Sequence, residues 1–381
     1  MTTSISPRAL TLAASIGWRH VTADPVRALL LAWRVLPVPL RGLLKLAGPY
    51  GRAAMLWGAG DQTAALASLS ASPRRAAAFA LAADRPAAAA EALERLPDTD
   101  PARPVLAARL AWREGRLTDA VRALENAPGR KARRLRATLA AQQALLAEPA
   151  PRRGPAPKRE HIPGRVLHLV SDALPSVSAG YTIRTHEIVL AQRAAGLDPH
   201  VATRAGFPVT QGSLDGRRSV TLDGVPYHRL LPWLLPGHGD ADPKLAALGE
   251  KLAAALTQKL KPSVLHAASN FANARLALAL GRRYGLPVVY EVRGFWEDTW
   301  LSRHPDGARL ADSELYRRSR ALETECMLAA DLVVTLGETM REEIESRGVP
   351  ASKILIVPNA VSDDFLAPLP SAANHGAANH G

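Results

Sequence analysis

An α/β fold, with a doubly wound and mostly parallel sheet preceded by an all-α region, is what this 381-residue sequence predicts, and three observations carry the prediction. Residues 1 to about 148 are rich in Ala, Leu and Arg and almost free of β-branched runs, which favours helix. From Arg165 onward short apolar runs alternate with helical stretches, the pattern of strands buried on both faces and covered by helices. Between them Glu148 to Gly164, EPAPRRGPAPKREHIPG, carries five prolines and a basic run without apolar periodicity, and so reads as an extended linker.

The expected order is therefore a helical region over 1–148, a linker over 149–164, an α/β domain over 165–366 and a disordered tail over 367–381, where AANHG repeats. Within the first part FALAADRPAAAAEALERL (Phe79 to Leu96) and RLAWREGRLTDAVRALENA (Arg109 to Ala127) align with a small gap. A helix, short turn and helix recurring in this way suggest a degenerate hairpin repeat of the tetratricopeptide kind. In the second part RVLHLV, PHVATR, SVLHAA, PVVYEV, DLVVTL and KILIVP read as strands. Asp223-Gly224 between two β-like runs predicts a hairpin.

The formal charge of +13 sits unevenly: residues 1–160 hold 25 Lys/Arg against 12 Asp/Glu, and the remainder 23 against 23. Any electrostatic partner is expected at the N-terminal part, but its basic residues are dispersed and no recognition motif accompanies them, so nucleic acid is not expected. DPVRALLLAWRVLPVPLRGLLKLAG, residues 24–48, offers two readings: a basic apolar face lying on an anionic membrane through 25–46, or ordinary packing against the helical repeats. Cys326 is the single cysteine, which excludes an intrachain disulfide and a thiolate zinc site. No secretory signal or membrane-spanning run is read, and the expected location is the cytoplasm or the inner face of its membrane.

In an open parallel sheet ligands bind beyond the carboxyl ends of the strands. Four loops there are chemically unusual. Ser178, Ala179 and Gly180 are small residues before a helix, where backbone N–H groups can approach an anion; Tyr181 follows, Arg184 either clamps a phosphate or stays solvated, and His186 is either a satisfied histidine or a catalytic one. Gly206, Phe207 and Pro208 form either a cleft wall or a surface turn. His266 ends a strand and is followed by Ser269 and Asn270, a helix cap. In VVYEVRGFWED a buried strand ends in Glu291 and Arg293, two apart and able to pair, followed by Gly294, Trp296 and Glu297. A structural ion pair competes there with a polar ligand site bounded by rings.

Taken in order, SAGYTIRTHEIVLAQRAAG, TRAGFP, VLHAASNFANARLALALGRRYGLPVVYEVRGFWED and ETECMLAADLVVTLGETMREEIESRGVPASKILIVPNAVSDDF resemble the N-terminal half of a glycosyltransferase family 4 protein with the two-Rossmann-domain GT-B architecture. The resemblance spans roughly Arg165 to Phe365. It implies transfer of a sugar from a nucleotide-sugar donor to an acceptor hydroxyl, with retention and without an essential metal or other cofactor. By position Gly180 would approach the donor phosphates. Many members place a histidine two positions after the one matching His266; here that position is Ala268. His186, Glu291 and Arg293 are therefore the catalytic candidates. Gly180, Tyr181, Arg184, Phe207, His266, Gly294, Trp296, Glu297 and Asn359 of the Pro-Asn-Ala-Val-Ser segment are the substrate-binding ones.

The resemblance also implies a donor-binding second domain, for which the sequence after Phe365 is too short, so either a truncated enzyme or a split one with its donor half on another chain is expected. The expected function is a retaining glycosyltransferase acting on a glycan or lipid-linked acceptor. The alternative is a non-catalytic protein that binds an acceptor or a partner through helical repeats.

Overall fold

The computed structural model describes residues 4–152, 160–237, 240–304 and 307–361. The helical part comprises α1 (Pro7–Ala23), α2 (Pro25–Val35), a 3₁₀ segment (Val38–Ala47), α3 (Gly48–Gly58), α4 (Gln62–Ala67), α5 (Pro73–Ala82), α6 (Pro86–Glu94), α7 (Arg103–Arg113), α8 (Leu117–Arg122) and α9 (Arg130–Ala147). Local chemistry sets the boundaries: Ser6, Asp24 and Asp61 cap α1, α2 and α4 through their side chains, and proline opens α1, α2, α5 and α6. The two similar segments form consecutive helix pairs, α5 with α6 and α7 with α8. Their facing surfaces are lined by alanine, so the helices approach closely around Phe79, Leu93 and Leu106.

The α/β part runs β1 (Arg165–Val170), α10 (Gly180–Ala194), β2 (Asp198–Thr203), β3 (Ser219–Leu222), β4 (Val225–Arg229), α11 (Pro243–Leu260), β5 (Val264–Ala268) and α12 (Phe271–Tyr284). It continues through β6 (Val288–Glu291), α13 (Trp296–Ser302), α14 (Gly307–Leu310), α15 (Glu314–Ala329), β7 (Leu332–Thr335), α16 (Glu338–Ser346) and β8 (Ile354–Ile356). The eight strands form one sheet in the order β3-β4-β2-β1-β5-β6-β7-β8, parallel except where β3 pairs antiparallel with β4. The hairpin turn is Asp223-Gly224, both at positive φ (48° and 77°), as a two-residue loop between twisted strands requires.

Both ends of the linker are tied down: the Ala150 amide donates to Glu325 and the Ile162 amide donates to Lys261 O, while residues 153–159 lie outside the described residues. Leu117, Leu146 and Ala150 share one core with Leu167 and Leu265 of the sheet. The tail over 367–381, and the domain end at 366, lie outside the described residues. Among the described residues no helix is long and apolar enough to cross a membrane.

Candidate functional site

The tripeptide Val-Leu-His occurs in both β1 and β5, and the sheet pairs the two copies in register: Val166 with Val264, Leu167 with Leu265, His168 with His266. Alternation along the strands then puts His168 and His266 on one face, and the pairing of Ala268 with Glu291 extends that row to β6. The imidazoles stack with ring centroids 4.4 Å apart. His168 Nε2 donates to Gln192 Oε1 of α10 at 2.8 Å. Burial, and then the neighbouring His266, push its pKa down to about 3, so it is neutral at pH 7.

Glu291, fully shielded from solvent, ends the row. Arg184 Nε donates to its Oε1 at 2.7 Å; Arg293 Nη2 and His266 Nε2 reach its Oε2 at 2.6 and 3.2 Å. Burial alone would raise the carboxyl pKa, but His266 and Arg293 outweigh it and hold it well below the usual carboxylate range. Since Glu291 is ionised, His266 presents a protonated Nε2 toward it. Alternate positions on an extended strand share a side, which is why Glu291 and Arg293 pair as anticipated.

Both arginines continue outward. Arg293 Nη1 donates to Tyr181 O at 2.7 Å and Thr185 Oγ1 at 2.8 Å, and its backbone N–H donates to Ser269 Oγ. Arg184 donates to Val357 O (2.7 Å), Pro358 O (3.0 Å) and Asn359 Oδ1 (3.1 Å). A single buried carboxylate therefore ties together the first turn of α10, the exit of β6 and the segment after β8. That first turn opens with the amides of Gly180 and Tyr181, which have no acceptor within the helix. A Cβ at Gly180 would meet nothing within 4 Å, so the space before the helix is open. Tyr181 donates its hydroxyl to Asp172 at 3.0 Å and is half exposed; Trp296 and Asn359 are exposed, and Gly294 has open space around its Cα.

The structure brings together Gly180, Tyr181, Arg184, His266, Glu291, Arg293 and Asn359, with Gly294 and Trp296 beside them on the β6 exit. It does not bring the other three. Phe207 is 1% exposed, packed with Val170, Val201 and Ala268, so it is a core anchor and not a cleft wall. Glu297 is buried in an ion pair with Arg347 at 2.6 Å, whose guanidinium lies over the Phe295 ring, so it turns into the protein. His186 has both ring nitrogens engaged, Nδ1 with Tyr227 Oη at 2.7 Å and Nε2 with Asp223 at 2.8 Å, which fastens α10 to the β3–β4 hairpin away from Glu291. Both oxygens of Glu291 are hydrogen-bonded and its side chain is sealed from solvent, with Arg293 held against it.

Sequence reasoning missed His168, Thr185 and Asp172. The repeated Val-Leu-His was a usable signal for His168. Thr185 and Asp172 had none, because a threonine in a helix and an aspartate after a strand are ordinary.

Residues 179–360 match the family model of the glycosyl transferase 4-like domain. Among solved structures, sucrose-phosphate synthase of Thermosynechococcus elongatus aligns at 12% identity and TM-score 0.36, over 53% of this chain and 92% of its own. A mutant O-GlcNAc transferase of Thermobaculum terrenum aligns at 13% identity and TM-score 0.26, over 96% of this chain and 77% of its own. Both likenesses are too distant to carry an activity across. No curated protein matches the chain. The family model begins at the residue that caps α10, ends one residue past Asn359, and takes in Glu291 with all three of its side-chain partners: over residues 179–360 the chain is similar to a glycosyl transferase 4-like domain.

Proposed function

We propose that this domain is the acceptor side of a glycosyl-transfer centre, moving a sugar from a nucleotide-sugar donor to an acceptor hydroxyl. In that reaction the bond from the anomeric carbon to the donor phosphate breaks, a bond to the acceptor oxygen forms, and the acceptor hydroxyl loses its proton. The observation that carries the reading is the tie made by Glu291 through Arg184 and Arg293, which fixes an open helix N-terminus beside the exit of β6. Free amides at a helix start, with a positive dipole end, suit the phosphate oxygens of a leaving nucleotide. Tyr181, Trp296 and Asn359 are exposed on the same rim and suit an acceptor glycan, an aromatic ring stacking on a sugar face. Glu291, Arg184 and Arg293 are positioning residues.

A nucleotide-binding half is not among the described residues, and the proposed reaction draws it from elsewhere, on this or another chain. Metal-independent transfer is part of the proposal. The test is transfer of label from a panel of nucleotide sugars to lipid-linked and soluble acceptors, with and without a separately supplied donor domain, and with EDTA. Turnover only in the presence of the donor domain, with Trp296→Ala raising the acceptor KM, supports the reading; robust turnover by the chain alone removes the need for a second half.

A second reading, a non-catalytic acceptor-binding protein, is favoured by one observation: position 268 is a buried alanine packed in the core with Phe207, leaving no general base at that strand end. Calorimetry that finds acceptor binding without nucleotide-sugar binding or turnover selects it.

A further inference from the structure

We propose that α1, α2 and the 3₁₀ segment form a docking surface for an anionic lipid bilayer. Helix α1 is apolar on two sides. Ala9 and Leu12 pack with Ala205, Val209, Leu231 and Leu235, on the loops that follow β2 and β4. The opposite side shows Leu10, Trp18 and Val21 to solvent at helical spacing, with Trp18 72% exposed. The 3₁₀ segment turns once in three residues, which lines Leu40, Leu43 and Leu46 along one edge; all three are exposed, Leu46 at 85%. Val35 and Val38 join the two helices and are exposed as well. An ordinary surface scatters such residues singly, whereas here two exposed apolar edges, on α1 and on the 3₁₀ segment, follow each other closely in the chain.

Charge decides which partner. Residues 4–60 contain seven arginines and lysines (Arg8, Arg19, Arg27, Arg34, Arg41, Lys45 and Arg52) and one acid, Asp24. That acid is already committed, capping α2 and pairing with Arg109. Arg8 and Arg41 lie over Trp233 and Trp33. Arg27, Arg34 and Lys45 are exposed and have no side-chain partner among the described residues. Leucines, an exposed tryptophan and unpaired cations on one short stretch are what a surface with apolar depth and negative headgroups recognises. A protein partner would need acidic and apolar groups in matching order, whereas a bilayer supplies both without register.

The loops that hold α1 are at the carboxyl end of the sheet, the end where Glu291 and α10 meet. A bound chain would thus hold its cleft near the lipid surface, where a lipid-linked acceptor resides. That consequence rests on the proposed acceptor role; the surface binding does not.

The test is co-sedimentation of the full chain with vesicles of phosphatidylcholine alone and of an equal mixture of phosphatidylcholine and phosphatidylglycerol, at low and high salt. Preferential binding to the mixed vesicles, weakened by salt, is expected. Reversing three charges in R27E/R34E/K45E lowers the affinity at least about a hundredfold, at roughly fivefold per basic residue lost and more for each acid gained. The exposed pair L43S/L46S loses about tenfold, with circular dichroism unchanged in both variants. Equal binding to neutral and anionic vesicles, or undiminished binding by R27E/R34E/K45E, overturns the proposal. So does a chain that ignores vesicles but dimerises in sedimentation velocity through Leu43 and Leu46, since the face would then belong to a second copy. Loss of glycosyl transfer with vesicle binding intact would instead count against the acceptor role alone.

Discussion

Arg184 and Glu291, 107 residues apart, close a 2.7 Å ion pair whose side chains are 9% and 0% exposed. A carboxylate so buried is tolerable only because three donors satisfy it, so removing it strands two guanidinium groups. Glu291→Ala should cost on the order of 3–5 kcal/mol, read as a fall in the denaturant midpoint. Glu291→Gln keeps an acceptor oxygen and should cost less. The folded-state pKa is depressed, so this contribution is present above the unfolded value of 4.5 and is lost as pH falls below it toward the folded pKa. An acid-unfolding curve unchanged by Glu291→Gln would contradict the assignment.

His168 acts in the same direction over a higher pH window. Buried neutral, with a folded pKa of about 3 against an ordinary 6.5, it binds fewer protons folded than unfolded throughout that window. Its contribution is complete above pH 6.5 and declines as pH falls toward 3. His168→Gln should remove up to about 1.4 kcal/mol of stability loss per pH unit within the window, the linkage slope for one proton. His228, pushed down to about 4 by burial and then by His200, acts in the same sense and sets the residual slope. Urea titrations at several pH values distinguish the two sites.

Much of the fold was legible because burial on both faces of a parallel sheet leaves unmistakable apolar runs, and RVLHLV and SVLHAA are near-complete strands as written. In the linker, proline and charge describe local stiffness and do not reveal what a backbone amide such as that of Ala150 meets 175 residues away. At the site, strand parity was enough to pair Glu291 with Arg293. Parity does not say whether an aromatic loop folds inward, and Phe207 did; nor does a charge after a glycine reveal that Arg347 waits inside for Glu297. These are tertiary facts with no local signature.

On the other face of the sheet, Glu323 is buried and accepts from the Phe271 amide at 2.8 Å and from Tyr290 Oη at 2.5 Å. Burial dominates here, opposed only in part by those hydrogen bonds, and the pKa rises to about 7. The folded state therefore binds the extra proton between 4.5 and 7, and stability is lost as pH rises through that range. Glu323→Gln retains an acceptor for both donors and never ionises. Relative to the parent it should gain progressively from pH 4.5 to 7, approaching about 3 kcal/mol, in thermal or denaturant unfolding. A pH-independent difference would show that the carboxyl is not the titrating group.

The joint between the helical region and the sheet domain rests on Gly115 and Glu314. Glu314 accepts from the Thr118 amide (2.7 Å), the Thr118 hydroxyl (2.9 Å) and Gln143 (3.2 Å), while Leu315 N donates to Gly115 O. Gly115 stands at φ +72°, and a Cβ there would lie 2.7 Å from Ser313 Oγ and 3.1 Å from Trp300. Gly115→Ala should therefore cost about 1–3 kcal/mol, part backbone strain and part overlap, and should speed limited proteolysis around residues 113–118. Adding Ser313→Gly removes the overlapping side chain at small cost to the cap of α15, so the double variant should regain the steric part and keep the strain. If the double variant is no more stable than Gly115→Ala, the close approach across this joint is not what holds the two parts together.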